Sequence, residues 1–430
     1  MSAENTVNVP PVETAPVEST STGETNIGRK PRVGKILVLG SMTALGPFTI
    51  DMYLPALPDV SADLEVSAST VQLTITGTLI GLALGQLLMG PLSDTLGRKK
   101  PLLAGIGVHI LASLLAVFAP SIAVLGILRV FQGMGAAAAA VVTMAIVRDL
   151  YSGNTVAVVM SRLMLVLGVA PILAPSIGGA LLYALNWRGI FVVLALIGVG
   201  TAMIGAFGLA ETLPKERRRP SGLTLVLRTY GSLLGDRTFM VLTLVSSVGM
   251  ASLFAYLSGA SFVYQDQYGL NQQEFAVLFT AGAIALIGAS QVNVRLLAHW
   301  TPQQITTWAL VAAVASGAVA IVVAVLELGG LAGFVTALWV MVGVIGFIFP
   351  NAPALALARH GEAAGTAAAM LGAFQFGVGA AIAPAVGLLG NTSTALAVTM
   401  TACVSLGLIA LLATTRQRES VYPAAANHSL

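Results

Sequence analysis

From residue 36 onwards, apolar runs long enough to cross a bilayer follow one another almost without pause. The pattern predicts helices over roughly 36–58, 70–91, 102–119, 121–147, 163–185 and 189–210. Six more are expected over 238–263, 275–298, 304–326, 331–357, 363–389 and 392–414. A hydrocarbon core of about 30 Å takes ~17–25 apolar residues at 1.5 Å rise each. Inside it no water satisfies backbone N–H and C=O groups, so a single run must close its own hydrogen bonds as a helix. The runs over 275–298 and 331–357 are the least clean.

The stretch 211–237 interrupts the pattern. It sets Lys215, Arg217, Arg218, Arg219, Arg228 and Arg237 against Glu211, Glu216 and Asp236. Six spans lie on each side of it, the arrangement of two similar halves in parallel repeat. The expected fold is an all-α membrane protein of twelve transmembrane helices in two six-helix halves. Its parts are a disordered cytoplasmic tail over 1–35, a half over 36–210, a cytoplasmic linker over 211–237, a half over 238–414 and a cytoplasmic tail over 415–430.

Composition agrees. Hydrophobic residues make up 56% of the chain and charged residues 9%, against roughly 45–50% and 25% in soluble domains. Too few charges are present to clothe a water-facing surface. A net charge of +3 leaves no nucleic-acid footprint. Cys403 is the single cysteine, and His109, His299, His360 and His428 are scattered, so neither a disulfide framework, a metal site nor a cofactor is expected. Residues 1–28 lack the basic-then-apolar layout of a cleaved signal peptide.

Basic residues set the orientation. With the N-terminus in the cytoplasm, 19 of the 21 Lys and Arg fall in cytoplasmic segments, and only Arg129 and Arg188 do not. The first outer loop then carries Asp59, Asp63 and Glu65 and no base.

Charge within hydrocarbon costs ~2.5–3.5 kcal/mol per residue on insertion scales, and marks function by default. Asp51 sits ~10 Å from the outer end of the first run, and Arg129 ~12 Å from that of the fourth. At matching depth, the two are expected to share one polar cavity; the plainer alternative is an ion pair locking two helices. Pro55 and Pro47 leave the carbonyls of Asp51 and Thr43 without their helical donors. Gln132 lies one turn below Arg129, as a ligand contact or as glue between helices. Gly133, Ala136 and Ala140 continue that face and permit close packing.

The loop after the second run reads Gly90-Pro91-Leu92-Ser93-Asp94-Thr95-Leu96-Gly97-Arg98-Lys99-Lys100. In its spacing the chain resembles the major facilitator superfamily, whose loop motif is Gly-x-Leu-Ala-Asp-x-x-Gly-Arg-Lys; Ser93 replaces the usual Ala. Leu125 to Gly135, around Arg129, looks like that family's fourth-span motif. Pro171-Ile-Leu-Ala-Pro175-Ser-Ile-Gly178-Gly179 looks like the fifth-span motif of its exporters, with Ala174 where Gly is usual. The run Asp51-Met-Tyr-Leu-Pro-Ala-Leu-Pro58 narrows the likeness to the Bcr/CflA group of drug:proton antiporters.

The resemblance implies proton-coupled efflux of small amphipathic drugs, such as bicyclomycin and amphenicols, across the cytoplasmic membrane; some members export metabolites instead. It makes Asp51 the proton-coupling acid and Arg129 its basic partner. Gly90, Asp94, Gly97, Arg98 and Lys99 become a gating loop, and Pro171, Pro175, Gly178 and Gly179 a helix-kink motif. Phe48, Asp51 and Gln132, with Phe254, Tyr256 and Gln375 on the seventh and eleventh runs, are expected to line the substrate cavity. The working unit is expected to be a monomer, with drug, protons and lipid as its partners. No nucleophile–base constellation, phosphate-binding Gly-x-x-x-x-Gly-Lys or repeated filter sequence is present, which argues against an enzyme, an ATP-driven pump and a channel.

Overall fold

The computed structural model describes residues 33–151, 154–218, 223–358 and 364–421. The expected N-terminal tail up to residue 32, Arg219, Arg359 and the tail beyond Val421 lie outside them. Twelve helices among the described residues are long and apolar enough to cross a membrane. They are spans 1 to 6, Gly34–Asp63, Ala68–Leu96, Lys99–Val117, Ile122–Leu150, Val158–Leu181 and Trp187–Gly208. Spans 7 to 12 are Arg237–Gln267, Gln272–Leu296, Pro302–Val325, Gly330–Leu357, Gly365–Leu388 and Ser393–Ala413. A further helix, Leu223–Gly235, lies in the linker.

The first boundary differs from the sequence reading. Asp59 and Asp63 do not lie in a loop, because span 1 resumes as a short helix over Leu57–Asp63. Pro58 opens that helix at a position where a missing N–H costs nothing. Between the two helical parts, Leu54–Ala56 forms one 3₁₀ turn. Span 10 also breaks, at Gly346–Phe347, ahead of Pro350 and Pro353.

The two halves meet along spans 2 and 11 and along spans 5 and 8. On the side away from the linker, here called the far side, polar bonds close the seam. Gln72 of span 2 is fully buried. Its Nε2 donates to the Ser258 carbonyl at 3.1 Å and to Asn391 Oδ1 at 2.9 Å, and its Oε1 accepts the Gly387 N–H at 3.0 Å. Thr76 Oγ1 donates to the Ala380 carbonyl (3.0 Å), Ser261 Oγ to that of Leu54 (2.6 Å) and Gln265 Nε2 to that of Pro55 (3.2 Å). Two of these carbonyls, of Ala380 and Leu54, lack the α-helical donor because Pro384 and Pro58 stand four residues on; that of Leu54 keeps the Leu57 N–H of the 3₁₀ turn.

Within the first half, small residues bring backbones together. A Cβ built on Gly81 would overlap the Val130 carbonyl, and one on Gly133 the Thr78 carbonyl. Spans 2 and 4 therefore touch main chain to main chain, the packing that lipid favours when no hydrophobic drive separates helix from solvent. Gly81→Leu is expected to destabilise the protein by about 1–3 kcal/mol or to block folding, because no side-chain shift relieves a clash with backbone. Thermal unfolding of the purified variant in detergent checks this; an unchanged midpoint would refute the packing account.

Candidate functional site

A cavity of about 990 Å³ lies between the halves, lined by residues of both. Thr43, Pro47, Ile50 and Asp51 come from span 1, and Ala136, Ala140 and Met144 from span 4. The second half supplies Met250, Phe254, Tyr256 and Leu257 of span 7, Phe279 of span 8, Val342 of span 10 and Phe376 of span 11. Its mouth is rimmed by Asp94, Arg98, Arg148, Asp149, Arg217 and Tyr230, so it opens on the linker side. At the far side the bonds described above shut it. The walls are mostly apolar, as drug-sized sites are.

Asp51 stands at the point where the first helix of span 1 ends. There the chain tightens from α to 3₁₀ bonding, and the Tyr53 N–H turns to the Ile50 carbonyl at 3.3 Å. Pro55 offers the Asp51 carbonyl no N–H. The Asp51 side chain is buried, 4% exposed, on the cavity wall. Its carboxyl has neither a hydrogen-bond nor an ion-pair partner among the described residues.

Arg129 does not pair with it, and this corrects the shared-cavity expectation. Fully buried behind the wall, its Nη1 donates to the Thr49 carbonyl at 2.9 Å and to Gln132 Oε1 at 2.6 Å. The Thr49 carbonyl is free because the 3₁₀ turn drew its usual donor away. The guanidinium lies 4.7 Å from the Tyr53 ring centroid and 5.8 Å from that of Phe191. Two ring faces and two neutral oxygens thus take the place of a counter-ion. Matching depth was legible in the sequence; the direction in which the side chain leaves its helix was not.

Three more expected wall residues lie elsewhere. Gln132 is held by Arg129 and donates through Nε2 to Ser113 Oγ at 2.8 Å; it is glue between helices. Gln375 donates to Ser246 Oγ at 2.7 Å within the second half, and Phe48 packs on the hydrophobic core. None of the three lines the cavity. Phe254 and Tyr256 do. Met144, Phe279 and Phe376 line it too and were not anticipated, since nothing in one sequence separates a cavity-facing aromatic from a lipid-facing one.

The fifth-span motif works by close approach. A Cβ on Gly178 would overlap the Met52 carbonyl, and one on Gly179 would come to 3.0 Å from the Gln272 carbonyl. The glycine pair seats span 5 against the break in span 1 and the start of span 8. Pro171 lines the cavity, and Pro171 and Pro175 sit inside one continuous helix.

The loop after span 2 forms a tight knot. Arg98 Nη1 donates to Asp94 Oδ1 at 2.5 Å and to Ser93 Oγ at 2.9 Å, and Arg98 Nε donates to Asp149 Oδ2 at 2.8 Å. Ser93 is therefore a working partner where the family has Ala. Lys99 Nζ donates to the Ala206 carbonyl at 2.6 Å, at the end of span 6. Gly97 has φ +91°, and a Cβ there would lie 2.5 Å from Glu211 Oε2, so both backbone and space require glycine. Gly90 borders the cavity. Glu211 Oε1 accepts the N–H groups of Arg98 (2.8 Å) and Leu213 (3.0 Å), and its Oε2 that of Lys99 (3.2 Å). The knot joins spans 2, 3, 4 and 6. These bonds stay within the first half and the start of the linker, and none reaches the second half.

Twelve spans around one cavity that is shut at one end define a carrier that exposes its site to one side at a time. The chain belongs to the Major Facilitator Superfamily, whose sequence pattern matches residues 39–384, and is thus a secondary transporter rather than an enzyme. It is 37% identical over 391 residues to an uncharacterized MFS-type transporter, YdgK, of Bacillus subtilis, covering 90% of this chain and 97% of that one. It is 34% identical over 383 residues to the bicyclomycin resistance protein homolog of Haemophilus influenzae, covering 87% and 94%. Among solved structures, a D-xylose-proton symporter superposes with a TM-score of 0.70 at 12% identity, covering 88% of this chain and 96% of that one; this likeness is one of fold.

Two outcomes test the knot. Burial pushes the Glu211 carboxyl up, but the N–H groups of Arg98, Leu213 and Lys99, with Arg218, outweigh it and hold the group below its ordinary range. Its contribution to stability is present above pH ~4.3 and is lost as pH falls through the lower folded-state value. Glu211→Gln should lower the unfolding temperature at pH 7, with the gap to wild type closing below pH ~4; a gap independent of pH would refute the assignment. Asp149→Asn, which weakens the hold on Arg98, should slow transport and shift substrate affinity less. Lost binding at normal turnover would instead give the loop a substrate role.

Proposed function

We propose that this protein expels small amphipathic drugs across the cytoplasmic membrane in exchange for protons, acting as a monomer. The linker and both termini face the cytoplasm, as the distribution of Lys and Arg implies. The cavity open on the linker side is then the state that loads drug from the cell. The relative described as a bicyclomycin resistance protein homolog supports a drug as cargo.

The observation that carries the reading is Asp51. It is the one acid in the apolar body of the cavity, and it has no partner among the described residues. A proton on this carboxyl and a donor group of a bound drug satisfy the same oxygens. The two therefore compete, and occupancy by one favours release of the other. In the inward-open state drug displaces the proton; once the halves have rocked outward, a proton from outside displaces the drug. Arg129 acts from behind the wall. By holding the Thr49 carbonyl it fixes the turn that presents Asp51, without neutralising it.

Asp51→Asn keeps the shape and removes the titrating group. In everted vesicles it should insert normally and abolish the drug-induced collapse of an imposed acid gradient. Undiminished proton exchange would take Asp51 out of the mechanism. One proton crossing 100 mV releases ~2.3 kcal/mol, and one pH unit adds ~1.4 kcal/mol, enough to hold a several-hundred-fold gradient of a neutral drug. Export of a neutral drug should respond to imposed potential and to pH gradient alike. Export of a monovalent cation, which moves no net charge, should respond to the pH gradient alone. Cation export driven by potential would require a second proton.

A further inference from the structure

Phe254 is the largest apolar side chain that span 7 turns toward the cavity, and it is 4% exposed. One edge of its ring abuts a bare stretch of span 11. A Cβ built on Gly379 would overlap it, reaching 3.0 Å from Cε2 and 3.2 Å from Cγ. One turn earlier on span 11, Phe376 also lines the cavity, with its ring centroid 5.9 Å from that of Phe254 and the planes tilted by 43°. The glycine is not required by its backbone, which is helical. It is required by the ring.

We propose that Gly379 is a specificity-determining position: it recesses the Phe254 ring into span 11, so that Phe254 and Phe376 make an aromatic shelf that takes the flat ring of a drug. The proposal rests on the drug reading above and deepens it by naming the part of the cargo that the second half recognises. Asp51 stands on the wall contributed by the first half. A cargo with an apolar ring at one end and a hydrogen-bond donor at the other would engage both walls at once, and so tie the halves together in the loaded state.

Any side chain at 379 must move the ring. Phe254 is packed on its protein side against the core, and close-packed interiors yield little. The free volume beside the ring is the cavity. A methyl group at 379 therefore swings the ring into the space that the drug's ring would occupy. Gly379 itself never touches cargo in this scheme; it positions Phe254.

The experiment measures binding of radiolabelled chloramphenicol, whose nitrophenyl ring is flat, to the purified full-length protein in lipid nanodiscs. Four forms are compared: wild type, Gly379→Ala, Phe254→Leu and the double variant. Gly379→Ala is expected to weaken binding roughly ten-fold or more, since overpacking typically costs that much. Phe254→Leu loses the ring and weakens binding several-fold. The double variant should bind as Phe254→Leu does, because leucine no longer meets the methyl group. If Gly379→Ala fails to fold, the double variant should fold again by the same relief, and the comparison then runs between it and Phe254→Leu. Unchanged affinity in Gly379→Ala would overturn the proposal. So would losses that simply multiply in the double variant, which would make the glycine a packing residue unconnected to Phe254. Wild type that binds no chloramphenicol at all defeats the drug reading, and the shelf with it.

Discussion

A backbone carbonyl inside hydrocarbon must find a donor, and each helix proline takes one away. Much of this structure answers that constraint. Pro58 denies the Leu54 carbonyl its α-helical donor, and beside the Leu57 N–H of the 3₁₀ turn Ser261 of the other half donates to it. Pro384 strands that of Ala380, and Thr76 takes it from across the seam. Pro91 strands that of Leu87, and Tyr230 of the linker helix donates to it at 3.2 Å. Pro350 strands that of Gly346, within 3.4 Å of Ser290 Oγ on the neighbouring helix. Three of these four bonds tie one half to the other half or to the linker. The prolines do more than bend helices: they create acceptors at the joints where halves meet and part.

The same logic divides labour between the two buried charges. The 3₁₀ turn that ends the first part of span 1 releases the Thr49 carbonyl, and Arg129 claims it. Arg129 can sit without a carboxylate because Tyr53 and Phe191 offer it ring faces. Asp51, two residues past Thr49, is left to the cavity. Had the two paired, the acid would be occupied and the apolar body of the cavity would lack its one free carboxyl among the described residues. The cation holds the scaffold, and the acid is left on the cavity wall.

Much of the fold was legible because hydrophobic run length is a direct physical requirement of the bilayer, and all twelve spans fall where the runs predict them. The loop motif was legible for a related reason: Gly97 needs its positive φ, and Arg98 needs acids at fixed offsets. Asp149 and Glu211 were missed because they join that loop from 51 and 113 residues away, and spacing along a chain says nothing about such distances. Gln132, Gln375 and Phe48 were misplaced for one shared cause. Which way a side chain faces within a bundle depends on helix rotation. In spans that are apolar all round, no polar face reveals that rotation.

The far-side closure is built almost wholly of uncharged groups. Gln72, Thr76, Ser261 and Gln265 meet carbonyls, an amide and a backbone N–H, and among the described residues Asp59, 3.4 Å from Gln272 Nε2, is the one ionisable partner across it. Neutral hydrogen bonds in a buried seam are scarcely screened by salt and do not titrate near neutrality. Acidity and ionic strength can swing widely in the water beside a membrane. A door latched by ion pairs would loosen or tighten with each of them. This one holds with nearly the same strength in brine and in fresh water, so the medium that bathes the far side is scarcely felt by the latch.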